Sequence, residues 1–120
     1  AQLYEKRGAR RGDAKLKISD ALQFTETLAS IKPSRAAVRD AMCFALDRAD
    51  AARELSELLG NALTEPAQSN ASDETRLARL YVASDILHNA AACGRGARMM
   101  RSLLRPYLAA ALHHLGTRTI

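Results

Sequence analysis

The chain has 120 residues, 48% of them hydrophobic but 4% aromatic and none tryptophan, and carries a net charge of +5. One domain of this size buries about two-thirds of its unfolded surface without a metal or disulfide framework. Three prolines and six glycines exclude a collagen-like or disordered chain, no apolar run nears the ~18 residues that span a bilayer, and two cysteines point to a reducing compartment.

The chain opens on alanine, which points to a piece cut from a longer protein. Residues 1–17 read as a basic arm: six Lys/Arg (Lys6, Arg7, Arg10, Arg11, Lys15, Lys17) against two acids, a net +4, interleaved with Gly8 and Gly12. A solvated linker and an RNA-contacting arm are both open readings of it. The middle, 18–92, has seven basic against eleven acidic residues, a net −4, and 93–120 has five arginines and no acid, a net +5. An anion site is therefore expected toward an end.

Residues 18–120 read as a helical domain. Ser19 is placed as the N-cap of a first helix that buries Leu22, Thr25, Leu28 and Ile31, and Pro33 interrupts it. Ser34 caps a second, with apolar positions Val38, Ala41, Met42, Ala45 and Leu46; Cys43 is expected in its core. A third starts near Asp50 and buries Ala51, Leu55, Leu58, Leu59 and Ala62, with Gly60 as a weak point. Residues 64–73 are a loop by their Pro, Ser and Asn content.

Asp73 is taken as the N-cap of a fourth helix running to about Ala92, with Leu77, Leu80, Tyr81, Ser84 and Leu87 on its apolar face and Gly94 and Gly96 closing it. A fifth carries Met99, Met100, Leu103 and Leu104; Pro106 opens a sixth with Tyr107, Leu108, Ala111, Leu112 and Leu115. No segment alternates like a strand. The fold class expected is all-α, an array of about six short antiparallel helices.

Catalysis is not expected. His88, His113 and His114 do not share a face with metal spacing, because adjacent helical residues point about 100° apart. No HExxH or CxxC pattern is present, Cys93 stands beside Gly94 and Arg95 without an evident base, and no glycine-rich phosphate cradle follows a strand. No catalytic residue, metal or cofactor is assigned.

The fourth helix offers a different pattern. Tyr81, Ser84, Asp85, His88 and Asn89 lie at i, i+3, i+4, i+7 and i+8, one continuous stripe of short hydrogen-bonding side chains headed by a tyrosine. Such a stripe suits the reading of a peptide or nucleotide, because amide and hydroxyl groups both donate and accept. A solvated face with one polar contact to a neighbouring helix is the plain alternative.

The segment LYVASDILHN resembles the fourth-helix motif of the CTD-interacting domain family (CID), whose members read LYLANDVIQN or LYxxDSIxKN there. The segment RDAMCFALDRADAARELSELL is similar to helices two and three in the branch of that family found in SURP-motif splicing proteins associated with the U2 small nuclear ribonucleoprotein. The resemblance implies a right-handed, VHS-like superhelix of up to eight helices with a groove between the second, fourth and seventh. In that family the groove holds the heptad-repeat tail of RNA polymerase II, usually phosphorylated, as an extended segment ending in a β-turn.

By the same resemblance, Tyr81 lines the groove against the heptad proline and Asp85 accepts the hydrogen bond of the heptad tyrosine. Asn89 holds the peptide backbone, and Val38 touches the tyrosine ring. Ser84 departs from the family pattern, where asparagine or aspartate stands. A chain ending at Ile120 lacks the segment that carries the family's phosphate-reading arginine. The implied setting is nuclear, with the polymerase tail and splicing proteins as partners and no membrane. A scaffold that has kept the fold without tail binding, and RNA binding through the basic ends, are the alternatives.

Overall fold

The computed structural model describes residues 12–66 and 69–119, the last six as backbone only. Among them all regular structure is helical: α1 (Ile18–Ser30), α2 (Arg35–Asp47), α3 (Ala52–Leu63), α4 (Asp73–Asn89) and α5 (Arg95–Thr119), with 3-10 turns at Ala49–Ala51 and Ala90–Ala92. The all-α array is as expected, but with five α-helices rather than six. None of the five is long and apolar enough to cross a membrane.

The missing division is at Pro106, which lies inside α5 instead of opening a new helix. A proline there removes the amide that would bond the carbonyl four residues back and sets its ring against that carbonyl, a local cost that does not end the helix. Leu104 before it and Ala111 after it are both buried, Tyr107 and Leu108 pack on the same core, and α3 is the main partner of the whole helix. Packing on both sides of the proline holds one continuous helix.

Three caps settle the helix starts. Ser34 accepts a bond from the Ala37 amide at 3.2 Å, as its sequence position predicts. The other two expectations fail by one or two residues. Lys17, with no side-chain bond, takes the N-cap place expected of Ser19, and Ser72, accepting from the Thr75 amide at 3.1 Å, takes that of Asp73. After α4 the chain turns at Gly94, whose φ of +98° lies in the left-handed region that glycine tolerates. Gly96 does not close α4; it stands in the first turn of α5, where a Cβ would run into the Ala49 carbonyl.

The core is built mostly from small side chains. Ala41, Ala45, Ala52, Ala78, Ala83, Ala90 and Ala97 are all buried, and they let the helices approach closely around Phe24, Leu28, Leu55, Leu59, Ile86, Met100 and Leu104. Gly60 belongs to the same device, since a Cβ on it would overlap the ring of Tyr107.

Helix α1 buries Phe24 and Leu28, with Ile31 buried just past its end, while Leu22 is 58% exposed and Thr25 is also exposed, so its apolar face is turned from the one expected. The reason is a tertiary contact: Phe24 stacks on Phe44 of α2 with ring centroids 5.6 Å apart. The Arg48 guanidinium covers the Phe44 ring at 3.6 Å and pairs with Asp20 of α1 at 3.1 Å. Cys43 points away from this seam and is exposed, contrary to its expected place in the core.

Of the expected arm, residues 1–11 lie outside the described residues. Residues 12–17 run along the start of α3: the Arg53 amide donates to the Gly12 carbonyl, the Ala14 amide to the Asp50 carbonyl, and the Leu16 amide to Glu54 Oε1. Asp13 pairs with Arg53 at 2.7 Å, and Leu16 is buried.

Candidate functional site

Helix α4 sits between α2 on one side and α5 on the other, and packs against both. It buries Thr75, Ala78, Arg79, Val82, Ala83 and Ile86. Leu77 and Tyr81, expected on the apolar face, are 42% and 45% exposed. The small residues face inward because α2 and α3 come close, and a long buried arginine replaces a leucine on the inner face. With Arg79 inside and Leu77 and Tyr81 outside, the two faces of α4 differ little in hydropathy, which hid the true orientation.

Turning the inner face this way presents the polar stripe outward. Between α2 and the exposed edge of α4 runs an open groove of about 480 Å³, lined by Pro33, Ser34, Arg35, Val38, Arg39, Met42, Tyr81 and Asp85. Val38 is only 5% exposed and supplies an apolar floor with half-buried Met42. Tyr81 offers an exposed ring, and half-buried Asp85 offers a carboxylate with no hydrogen bond or ion pair among the described residues.

Arg35 and Arg39, one helical turn apart on α2, make the rim positive, and neither is paired among the described residues. These two were not singled out in the sequence, and Met42, expected among the apolar positions of the second helix, lines the groove instead of lying wholly in the core. Their signal was available: Arg35, Val38, Arg39 and Met42 form an i, i+3, i+4, i+7 face of α2.

The stripe does not stay together. Val38, Tyr81 and Asp85 meet in the groove. His88 instead lines a second cleft, of about 310 Å³, with Leu87, Ala91, Arg101 and Arg105, on the α5 side of α4. Its Nδ1 lies 2.8 Å from the Ser84 carbonyl, an arrangement in which Nδ1 carries the proton and donates. Half-buried Ser84 and exposed Asn89 line neither cavity. Asn89 donates its side-chain amide to the Asp85 carbonyl at 2.7 Å and reaches Met42 Sδ at 3.3 Å, so it braces α4 against α2 beside the groove.

In chemical terms the groove combines an apolar floor, an aromatic side and a lone carboxylate acceptor. That set can hold an aromatic or proline ring and take a hydrogen bond from a hydroxyl or amide next to it. Among the described residues no group of three or more His, Cys, Asp or Glu stands close enough to hold a metal.

The fold and groove define an all-helical array with an open side channel between its second and fourth helices. No protein-family model matches the chain, and no solved structure does. The chain is similar to Protein RRC1 of Arabidopsis thaliana, 36% identical over 104 residues covering 85% of it, and to Protein RRC1-like of the same plant, 39% identical over 80 residues covering 67%. It spans 11% and 8% of the lengths of these two relatives.

Proposed function

We propose that the chain is a peptide-binding module, not an enzyme, that holds the heptad-repeat C-terminal tail of RNA polymerase II within a nuclear splicing or RNA-processing factor. The observation that carries this reading is the meeting of Val38, Tyr81 and Asp85 in one open groove. These are the positions that the resemblance to the CID family pairs with the tyrosine and proline of the tail. The 36% identity to Protein RRC1 sets the chain beside a much larger protein, in which it would be one module.

The energetics favour a weak, specific contact. Burying one aromatic ring contributes about 1.5–3 kcal/mol, while ordering a disordered tail opposes binding by roughly 2–5 kcal/mol. The anchor alone is near break-even. A hydrogen bond to the Asp85 carboxylate, worth about 1.5–3 kcal/mol because the acceptor is charged, then decides whether the peptide stays. Repeats along one tail add avidity.

A second reading, a scaffold with the same fold and no tail binding, is favoured by one observation: the Asn89 amide already bonds Asp85 and Met42. Chemical-shift mapping with an unlabelled heptad-repeat peptide separates the two. Tail binding predicts the largest shifts at Val38, Tyr81 and Asp85; a scaffold predicts none there.

A further inference from the structure

Helix α5 carries an arginine stripe away from the groove. Arg98, Arg101 and Arg105 stand at i, i+3 and i+7, so they share one face over about 10 Å of helix. All three are exposed, and no side-chain hydrogen bond or ion pair holds any of them among the described residues. Arg95, at the head of the helix, is set apart because it shares a cavity with Asp50. Asp85 is the last acid in the chain, and it lines the groove on the other side of α4. No acid of α5 itself therefore neutralises the stripe.

Beside the stripe, Arg101 and Arg105 line an open cleft of about 310 Å³ with Leu87, His88 and Ala91. The His88 ring is exposed, but its Nδ1 lies 2.8 Å from the Ser84 carbonyl, and that bond fixes the plane of the ring. Leu87 and Ala91 add apolar wall next to it. A simple polyanion would need the arginines alone. A held imidazole beside a row of guanidinium groups suits a ligand that carries both phosphates and flat rings. A membrane-surface helix would place bulky apolar side chains among the cations, whereas exposed Ser102 stands between Arg98 and Arg105.

We propose that Arg98, Arg101, Arg105 and His88 form a surface for single-stranded RNA. The arginines track about three phosphates of the backbone, and one base enters the cleft and stacks on the His88 ring. The choice of RNA over DNA rests on the RNA-processing setting proposed above. The surface itself is independent of the peptide groove, since the two cavities lie on opposite sides of α4. Backbone contacts and one stacked base give little sequence preference.

The test measures fluorescence anisotropy of a labelled, mixed-sequence RNA of about twelve nucleotides with the whole chain and no peptide present. Wild type is compared with an Arg98→Gln/Arg101→Gln/Arg105→Gln triple variant and with His88→Ala. All four side chains are exposed, and circular dichroism checks that each variant is folded. Each phosphate contact on a single strand contributes about 0.7 to the slope of log affinity against log salt. The triple variant should therefore bind at least tenfold more weakly at low salt and lose roughly 2 from that slope. His88→Ala should weaken binding at least fivefold, the value of one stacked base, and leave the slope unchanged.

No RNA binding by wild type overturns the proposal, as does a triple variant with wild-type affinity or the full wild-type slope. Unchanged affinity in His88→Ala shows a surface that any polyanion satisfies and overturns the assignment to RNA. Tighter binding of DNA of the same sequence does so as well. Adding an unlabelled heptad-repeat peptide at the end should not release the RNA, and release would overturn the placement on α5. The RNA arms contain no peptide, so a failure of the groove reading shows in the peptide titration alone.

Discussion

Arg79 Nε donates to the carbonyl of Leu28, 51 residues earlier, at 2.8 Å, and the guanidinium that does so is almost fully buried. The same group bonds the Ala62 carbonyl at 3.1 Å and the Glu65 carboxylate at 2.5 Å. Leu28 and Ala62 lie in the last turns of α1 and α3, where carbonyls lack partners within their own helices and carry the negative end of the dipole. One buried cation therefore closes two helix ends and the loop after α3. Replacing Arg79 with methionine leaves those acceptors without a donor and should lower stability by about 3 kcal/mol. Arg79→Lys keeps the charge but not the planar fork, and should lose less. Urea unfolding checks both: the midpoint falls while the slope stays unchanged.

Glu65 makes part of that network pH-dependent. The hydrogen bond from Arg79 holds its carboxyl below the ordinary value of 4.5; partial burial opposes the shift, and the charges of Arg79 and Arg76 add to it. Because the folded value is the lower one, the stabilisation is complete above the unfolded value and is lost as pH falls through the folded value. Wild type should thus lose stability below about pH 4.5. Glu65→Gln should be less stable at neutral pH and should lose less on acidification. Thermal unfolding of both proteins between pH 7 and pH 3 reads the difference.

Pro106 is an interior proline on an exposed part of α5. Alanine there restores the missing amide and removes the ring clash with the preceding turn. Helix interiors favour alanine over proline by about 3 kcal/mol, and α5 has already adapted to the proline. Pro106→Ala should therefore stabilise by roughly 1–3 kcal/mol. A destabilised variant would show that a bend at Pro106 is needed for packing on α3.

Gly60→Ala should run against helix propensity. Alanine gains up to about 1 kcal/mol over glycine within a helix, but its Cβ would overlap the Tyr107 ring. Overpacking costs typically 1–3 kcal/mol, so the net effect is a loss. In a Tyr107→Ala background the same change should stabilise. A double-mutant cycle by chemical denaturation gives the coupling directly.

The parts of this fold that were legible in the sequence are those governed by neighbours along the chain. Ser34 before a periodic run, the Pro/Ser/Asn loop after α3 and the absence of strands all follow from local rules, and the structure agrees over the described residues. The misplaced features depend on distant contacts. Choosing Phe24 over Leu22 as the inward residue of α1 needs Phe44, twenty residues later. The Cys43 position follows from the same seam. Continuity of α5 through Pro106 needs α3 beneath both halves.

The stripe on α4 was legible as a stripe, because spacing alone places its members on one side of a helix. Spacing does not say which neighbour flanks each edge. With α2 on one side and α5 on the other, Asp85 and His88 went to different cavities though they are only three positions apart. Arg79 was missed for a related reason: a single arginine within a helix reads as solvent-exposed until the helix ends it closes are in place.

Calorimetric titration of an unphosphorylated heptad-repeat peptide into wild type and Asp85→Ala tests the central reading most directly. Asp85 is half-buried and holds no side-chain bond among the described residues, so the change should leave folding intact. Loss of a charged hydrogen bond of about 1.5–3 kcal/mol predicts roughly ten- to hundredfold weaker binding. Equal affinity in the two proteins would contradict the assignment of the groove as the peptide site.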